Sequence, residues 1–455
     1  MNWSNATVMS FDYDLFIIGA GSGGLAAAKR AASYGARVGI AEAVAVGGAC
    51  INYGCIPEKL MAYAANFSSL FPVAVSYGWS ECNSSFDWSR FKVAKDQKVE
   101  QLHEVHTKYL TELGIEIIWG HGTFRDAHTL DIDGQKITAD KILIAVGAKP
   151  VKPDIPGVEY AISIKELLSF KKLPRQIGII GGDYVAIKTA GSLSGLGVKV
   201  TVITESDMIL ANCDEDIALS VQGSMTKHGV KIFTNTKVEK FEQLADGLNL
   251  TLMADHNVNL TVDTGLCLKY MAPNLSNLTL ENAGVEVTQN GAILVDKYSS
   301  TTQPNIFAIG DCTNRMKLTP VAIAEARAFV DTEFGKNPHI LNYQLIPISV
   351  SSIPEAATVG LTEAQAREKF GESVQCYRQE FKPLFYGLTN KDEKTLLKLV
   401  VDSKSERVIG AHMVGQYASE IIQSIALAMK LGATKKDLDT SIGIHPSIAE
   451  EIFSL

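Results

Sequence analysis

Cys50 and Cys55, in the stretch GGACINYGCIPEKLM, are the residues whose type and spacing most directly suggest chemistry. A CxxxxC pair suits either half of a metal site or thiol chemistry, in which the thiolate is the nucleophile. No further Cys or His group with ligand spacing appears nearby, which argues against a metal. The seven cysteines, Cys50, Cys55, Cys82, Cys213, Cys267, Cys312 and Cys376, form an odd and sparse set, unlike a secreted disulfide framework.

A second kind of chemistry is signalled upstream, where YDLFIIGAGSGGLAAAKRAASYGARVGIAEA reads as strand, glycine turn, helix, turn and strand. Gly19, Gly21 and Gly24 have GxGxxG spacing, and Glu42 follows Gly19 by 23 residues. Gly19 permits the tight turn, Gly21 lets backbone approach a pyrophosphate at the helix N-terminus, and Gly24 lets helix and strand pack. Glu42 accepts from a ribose hydroxyl, so the whole unit predicts a bound dinucleotide.

The same unit recurs 162 positions later in IIGGDYVAIKTAG, with Gly19 on Gly181, Gly35 on Gly197 and Arg37 on Lys199. Gly21 there becomes Asp183, Gly24 becomes Ala186 and Glu42 becomes Thr204. Alanine is an accepted variant. Aspartate places a side chain where a pyrophosphate must approach and sets a carboxylate against phosphate charge.

The elements that must position these residues need several domains. A chain of 455 residues exceeds one ordinary core of ~100–200 residues, so about three domains are expected. Hydrophobic residues at 46% and charged residues at 20% fit a globular protein. No apolar run approaches the ~18–20 residues that span a bilayer. The opening MNWSNATVMS lacks the basic start and apolar core of a signal peptide, so a cytoplasmic location is expected. A net charge of −8 without long Lys or Arg runs argues against nucleic-acid and anionic-membrane partners.

Residues 86–114 have helical periodicity, and short strands follow with a turn at Asp133-Gly134. Pro150, Pro153 and Pro156 make a stiff connection into the second nucleotide unit, which runs to about Pro273. TTQPNIFAIGD ends a strand at Asp311, with the helix LTPVAIAEARAFVDTEFG behind it. After Pro347, LLKLVVDSKSERVIGAHMVG reads as two alternating strands and ASEIIQSIALAMKLGA as an apolar helix.

The first GxGxxG with Glu42, GGACINYGC, the AVG ending at Gly147, IFAIGD with Asp311, LTPVAIAEAR with Arg327 and IHPSIAEE near the C-terminus together resemble one family. It is that of the class I flavin-dependent pyridine nucleotide-disulfide oxidoreductases, and the chain is most similar to glutathione reductases of the cyanobacterial type. The resemblance covers nearly the whole chain and implies an α/β fold with two Rossmann-like dinucleotide-binding domains and a C-terminal α+β dimerisation domain. The expected segments are 1–149 and 274–343 for FAD, 150–273 for the NAD(P)-like domain and 344–455 for the interface.

The resemblance further implies FAD along Gly19, Gly21, Ser22, Gly24, Glu42, Gly48 and Gly147, with Asp311 on its ribityl chain. Cys50 and Cys55 would form a redox-active disulfide, Cys50 attacking an external disulfide and Cys55 sitting nearer the flavin. His445 is the implied acid/base, oriented by Glu450 and supplied by the partner subunit of a homodimer. Taken alone, a histidine before Pro446 reads as structural. Ser22, Lys29 and Arg327 stand where glutathione reductases contact glutathione, and His106 stands near a place where they often use tyrosine.

This chain departs from the family on the nicotinamide side. The second turn reads GGDYVAIK, so Asp183 replaces a glycine and Lys188 a glutamate. Glu205 and Ala211 occupy the places of two arginines that hold a 2′-phosphate, and Tyr270 and Met271 replace a Gly-Arg pair. Glu58 replaces a lysine that pairs with the glutamate at flavin N5, so Glu58 and Lys188 exchange charges. Tyr184, which caps the flavin in the family, is kept and would act as a lid. These departures predict that direct NADPH use is weakened or lost; a switch to NADH is possible but would not remove the problem at Asp183, so NADH use is doubtful too. The alternative expectation is a pyridine-nucleotide-independent flavin-disulfide protein, acting as dithiol oxidase, redox sensor or interaction protein with another electron donor.

Overall fold

The structure is a computed structural model that describes residues 10–81, 85–253 and 258–455; Cys82 lies outside the described residues. Contacts gather the chain into two compact units. The first runs through Pro57, resumes at Val93–Val151 and again at Met271–Leu341. The second comprises Glu58–Lys92, Lys152–Tyr270 and Asn342–Leu455.

In the first unit the strand Tyr13–Ile18 lies at the centre of a sheet, flanked in parallel by Val38–Glu42 and Gln135–Ile144. Glu116–Trp119 and Ile306–Ala308 extend the parallel core. Gly122–Phe124 and Thr129–Ile132 add an antiparallel edge through the predicted Asp133-Gly134 turn, where both residues take positive φ. Leu15 and Ile17 enter one apolar core and Phe16 and Ile18 another, as a strand covered on both faces requires. Ile18 is level with Ala41 and Ile144, and Ile144 with Ala308. The chain therefore leaves one edge of the sheet at Gly19, after Glu42, from Ala145 to Gly147 and near Asp311, and this is the edge where α/β folds hold ligands.

The helices Ser22–Ser33 and Thr319–Glu333 pack together on this sheet, and Arg30 joins them through an ion pair with Asp331. The predicted helix over 86–114 is observed as Trp88–Glu112.

In the second unit Gln176–Ile180, Lys199–Ile203, Lys231–Phe233 and Thr264–Cys267 form a parallel sheet. The helix Tyr184–Gly195 leaves the first of these strands through Gly181, as Ser22–Ser33 leaves through Gly19. An antiparallel ribbon of Lys237–Leu244, Gly247–Met253 and Val258–Val262 follows. The C-terminal sheet has the order Ile348–Val350, Ala356–Gly360, Arg407–Val414, Thr395–Asp402 and Val374–Phe381, and Ala418–Lys430 packs on it.

One strand departs from expectation. Thr395–Asp402 does not alternate between core and solvent, because every position is buried. Leu397, Leu399 and Val401 enter the apolar core on one side. On the other, Lys398 bonds Asp214 at 2.8 Å, Asp216 at 2.6 Å and Glu363 at 2.8 Å. Lys398 is thus an internal cation matched by three carboxylates.

Candidate active site

Cys50 lies in the short helix Gly48–Asn52, and Cys55 opens the helix Cys55–Ser76. The Asn52 amide donates to the Gly48 carbonyl at 2.9 Å, and its Oδ1 lies 2.7 Å from His103 Nε2, which fixes the link between the cysteines. Both cysteines are in the thiol form, and Cys55 Sγ lies 3.4 Å from Thr319 Oγ1. Hydrogen bonding to Cys55 holds the Cys50 thiol well above its ordinary pKa, with burial and the Cys55 charge adding to the rise. The Thr319 and Ser22 hydroxyls pull Cys50 the other way.

Ser22 and Thr319 are each the first residue of a helix, so the sulfurs meet hydroxyls set at two helix N-termini, where negative charge is favoured. Such a pair can share one proton and one negative charge. The sequence singled out Ser22 but not Thr319. The available signal was a threonine before Pro320 at the start of LTPVAIAEAR, a helix-opening pattern.

At the first glycine turn, Gly21 caps Ser22–Ser33 without any side-chain hydrogen bond, leaving its first-turn amides open to a ligand. Gly24 is required sterically, since a Cβ there would fall 2.0 Å from the Gly19 carbonyl oxygen. Glu42 Oε2 accepts from Ala20 N at 2.9 Å and Oε1 from Val44 N at 2.8 Å, which ties the turn to the next strand. Gly48 comes close to Gly21, as a Cβ on it would lie 2.7 Å from Gly21 Cα. Burial raises the pKa of Asp311, opposed by Lys317.

Lys29 Nζ lies 3.2 Å from His106 Nδ1 and 4.6 Å from the centre of the Tyr109 ring. Burial lowers the pKa of both Lys29 and His106. Arg327 is exposed and has no ion pair among the described residues.

In the second unit His445 Nδ1 lies 3.0 Å from Glu450 Oε2, and Ser447 N donates to Glu450 Oε1 at 3.0 Å. These contacts, the Ser447 bond first, hold the Glu450 carboxyl below its ordinary range. The pair borders a shallow depression of about 430 Å³ between Ser441, Gly443 and Phe453. The His445 side chain is 82% exposed, so the remaining ring nitrogen is free to meet a proton donor or acceptor from outside this face.

The second glycine turn is built differently. Asp183 caps Tyr184–Gly195, and its Oδ1 accepts from Val185 N and Ala186 N at 3.0 Å each. Lys188 and Glu58 form an ion pair at 2.6 Å, both largely buried, and Thr189 Oγ1 donates to Glu58 at 3.2 Å. Lys188 also lies 5.4 Å from the centre of the Tyr184 ring.

Glu205 bonds Lys269 at 2.7 Å, with Tyr270 Oη at 3.5 Å. Lys269, whose role the sequence did not reveal, neutralises the acid expected to repel a 2′-phosphate. Ala211 is exposed, and Met271 opens a strand paired with Ala148–Pro150, so neither joins that cluster.

Among the described residues no group of three or more His, Cys, Asp or Glu is arranged to hold a metal. No described helix is long and apolar enough to cross a membrane.

Residues 13–326 match the family described as Pyridine nucleotide-disulphide oxidoreductase, and residues 346–454 match its dimerisation domain. The chain is 48% identical over 458 residues to the glutathione reductase of Nostoc sp. (strain PCC 7120 / SAG 25.82 / UTEX 2576), covering 98% of this chain and 100% of that protein. It is 39% identical over 448 residues to the glutathione reductase of Burkholderia cepacia, covering 98% of this chain and 99% of that one. Among solved structures it is similar to the HOCl-induced flavoprotein disulfide reductase RclA from Escherichia coli. That match has a TM-score of 0.88 and 30% identity, and it covers 97% of this chain and 100% of the other. Fold, thiol pair and these relatives together identify the chain as a member of the pyridine nucleotide-disulphide oxidoreductases, of the glutathione reductase-like class I type.

Proposed function

We propose that this protein is an FAD-dependent disulfide oxidoreductase of glutathione reductase type, in which Cys50 and Cys55 form the redox disulfide. The observation that carries this reading is the Cys50/Cys55 pair on two successive helices, with Cys55 Sγ 3.4 Å from Thr319 Oγ1 and with Cys55, Thr319 and Ser22 all acting on the Cys50 thiol. The first turn suits FAD because its helix amides are uncapped and Glu42 and Asp311 stand at the same edge of the sheet. Gly19, Gly21, Ser22, Gly24, Gly48 and Gly147 would line the dinucleotide, with Glu42 at its ribose and Asp311 at its ribityl chain. FAD, when bound, supplies the electron pair that reopens the internal disulfide.

The chain's own residues carry the thiol side. The Cys50 thiolate attacks one sulfur of an external disulfide, forming a mixed disulfide and expelling one thiolate, which His445 protonates. Cys55 then attacks the Cys50 sulfur, closing the internal disulfide and releasing the second thiolate, which also takes a proton. Glu450 fixes the His445 ring and stabilises its protonated form. Ser22, Lys29 and Arg327 are the proposed contacts for glutathione disulfide. A homodimer brings His445 from the partner subunit. The 1–149 and 274–343 segments serve FAD, 150–273 is the NAD(P)-like domain, and 344–455 is the interface.

Asp183 favours a second element of this reading, that direct NADPH use is weakened or lost and another donor supplies electrons. Its carboxylate already takes amides of the second turn, and Glu58 with Lys188 preserves a pair of exchanged charge. The protein would then act as a dithiol oxidase, redox sensor or interaction protein. The test is to add NADPH, then NADH, to the anaerobic oxidised holoprotein and follow flavin absorbance. Slow or absent bleaching is expected, and rapid bleaching by either would refute donor loss. Chemical reduction followed by glutathione disulfide tests the thiol side, and failure to reoxidise the protein would remove glutathione disulfide as substrate.

A further inference from the structure

The two glycine turns have nearly the same backbone. Gly21 has φ −77° and ψ −174°, and Asp183 has φ −79° and ψ 179°. Gly19 N donates to Ala41 O at 2.8 Å, and Gly181 N to Ile203 O at 2.9 Å. Leu25 N reaches Gly21 O at 2.8 Å, and Ile187 N reaches Asp183 O at 3.0 Å. Even the returning loops correspond, Gly47 N to Ala20 O at 2.8 Å and Leu210 N to Gly182 O at 2.6 Å.

Against this matched frame one difference concerns the amides themselves. The first helix begins with no side-chain cap, whereas Asp183 Oδ1 accepts from both Val185 N and Ala186 N. These donors belong to the first turn, where amides have no partner within the helix and ordinarily meet an anion or water.

We propose that the Asp183 carboxylate occupies the amides of the second turn, an autoinhibitory contact that closes a turn whose backbone otherwise matches the first. The inference rests on the reading that direct pyridine-nucleotide use is weakened, and it assigns that loss to occupation of the amides by one side chain. A negatively charged pyrophosphate must displace the carboxylate and then share the turn with it. Removing the side chain frees both donors without asking the backbone to move, since glycine at Gly21 already adopts the same conformation.

The experiment compares the full-length FAD-loaded protein with its Asp183→Gly and Asp183→Asn variants by calorimetric titration with NADPH and, separately, NADH. Wild type is expected to show no saturable binding up to about 1 mM, and Asp183→Gly to bind at least one nucleotide about tenfold tighter or more. Asp183→Asn keeps an oxygen acceptor for the amides while losing the charge, so it is expected to stay closed. An Asp183→Gly variant that is folded by circular dichroism and binds no better than wild type overturns the proposal while leaving donor loss standing. Opening by Asp183→Asn to the level of glycine overturns occupation in favour of charge repulsion. Micromolar NADPH binding by wild type overturns both the closure and the donor-loss reading.

Discussion

Thr319 touches both sulfurs of the active pair, so its hydroxyl is the smallest change that tests how the thiolate is stabilised. Thr319→Val keeps the shape and removes the hydrogen bond. Because that bond lowers the Cys50 pKa, its loss moves thiolate formation to higher pH by about one unit, measured as the pH dependence of iodoacetamide alkylation of the reduced protein. An unmoved profile would assign the stabilisation elsewhere. His445→Gln is expected to lower glutathione disulfide turnover by about 10²-fold or more while leaving the alkylation profile intact, because in the proposed mechanism His445 manages the leaving proton and not the resting thiols.

The legibility of these residues follows their separation in sequence. Cys50, Cys55 and the glycines announced themselves by local spacing, whereas His445 with Glu450 stood out only through the family resemblance. Thr319 lies 264 residues from Cys55, and Lys269 lies 64 from Glu205, so no local pattern records either contact.

At the scale of elements, Lys398 holds the strand Thr395–Asp402 to the start of the helix Glu215–Lys227, which Asp214 caps. His412, also buried, lies 3.9 Å from Asp214. Lys398→Met leaves Asp214, Asp216 and Glu363 without their shared cation and is expected to lower stability by about 3–5 kcal/mol in urea denaturation. The bond to Lys398 is the first cause that depresses the Glu363 carboxyl to about 2, against its burial. A depressed carboxyl contributes stability above its unfolded value of about 4.3, and that contribution is lost as pH falls toward the folded value. Glu363→Gln should therefore be less stable than wild type at about pH 7, and the two should converge near pH 2. Strand alternation located Thr395–Asp402, but no reading of the sequence singled out Lys398 or the helix Glu215–Lys227. Lys398 meets its acids only through pairing of a central strand with residues distant in the chain.

At the scale of the whole molecule, the C-terminal segment exposes Leu431 by 81%, Ile442 by 98% and Ile444 by 80%, around the equally open His445. Large apolar side chains left open beside His445, the proposed acid/base, fit a surface that a second copy covers. A dimer is expected in sedimentation equilibrium, and Leu431→Asp with Ile444→Asp is expected to shift it to monomer with loss of turnover. Mixing Cys50→Ser and His445→Gln subunits gives a sharper result. If each site takes its thiols from one chain and its histidine from the other, heterodimers regain one intact site although both parent homodimers are inactive. Mixtures that remain inactive after verified exchange would place His445 and the thiols in the same chain.

Asp183 also bears on how folding is linked to ligand supply. A nucleotide that binds only the folded state stabilises it by an amount that grows with its concentration. In the second turn the covalently attached carboxylate provides its hydrogen bonds at every nucleotide concentration, so under the proposed closure the stability of Tyr184–Gly195 would not follow the pool of reduced pyridine nucleotides. Under that closure the melting temperature should rise with FAD and stay level with NADPH, and the chain's persistence would then be independent of nucleotide supply.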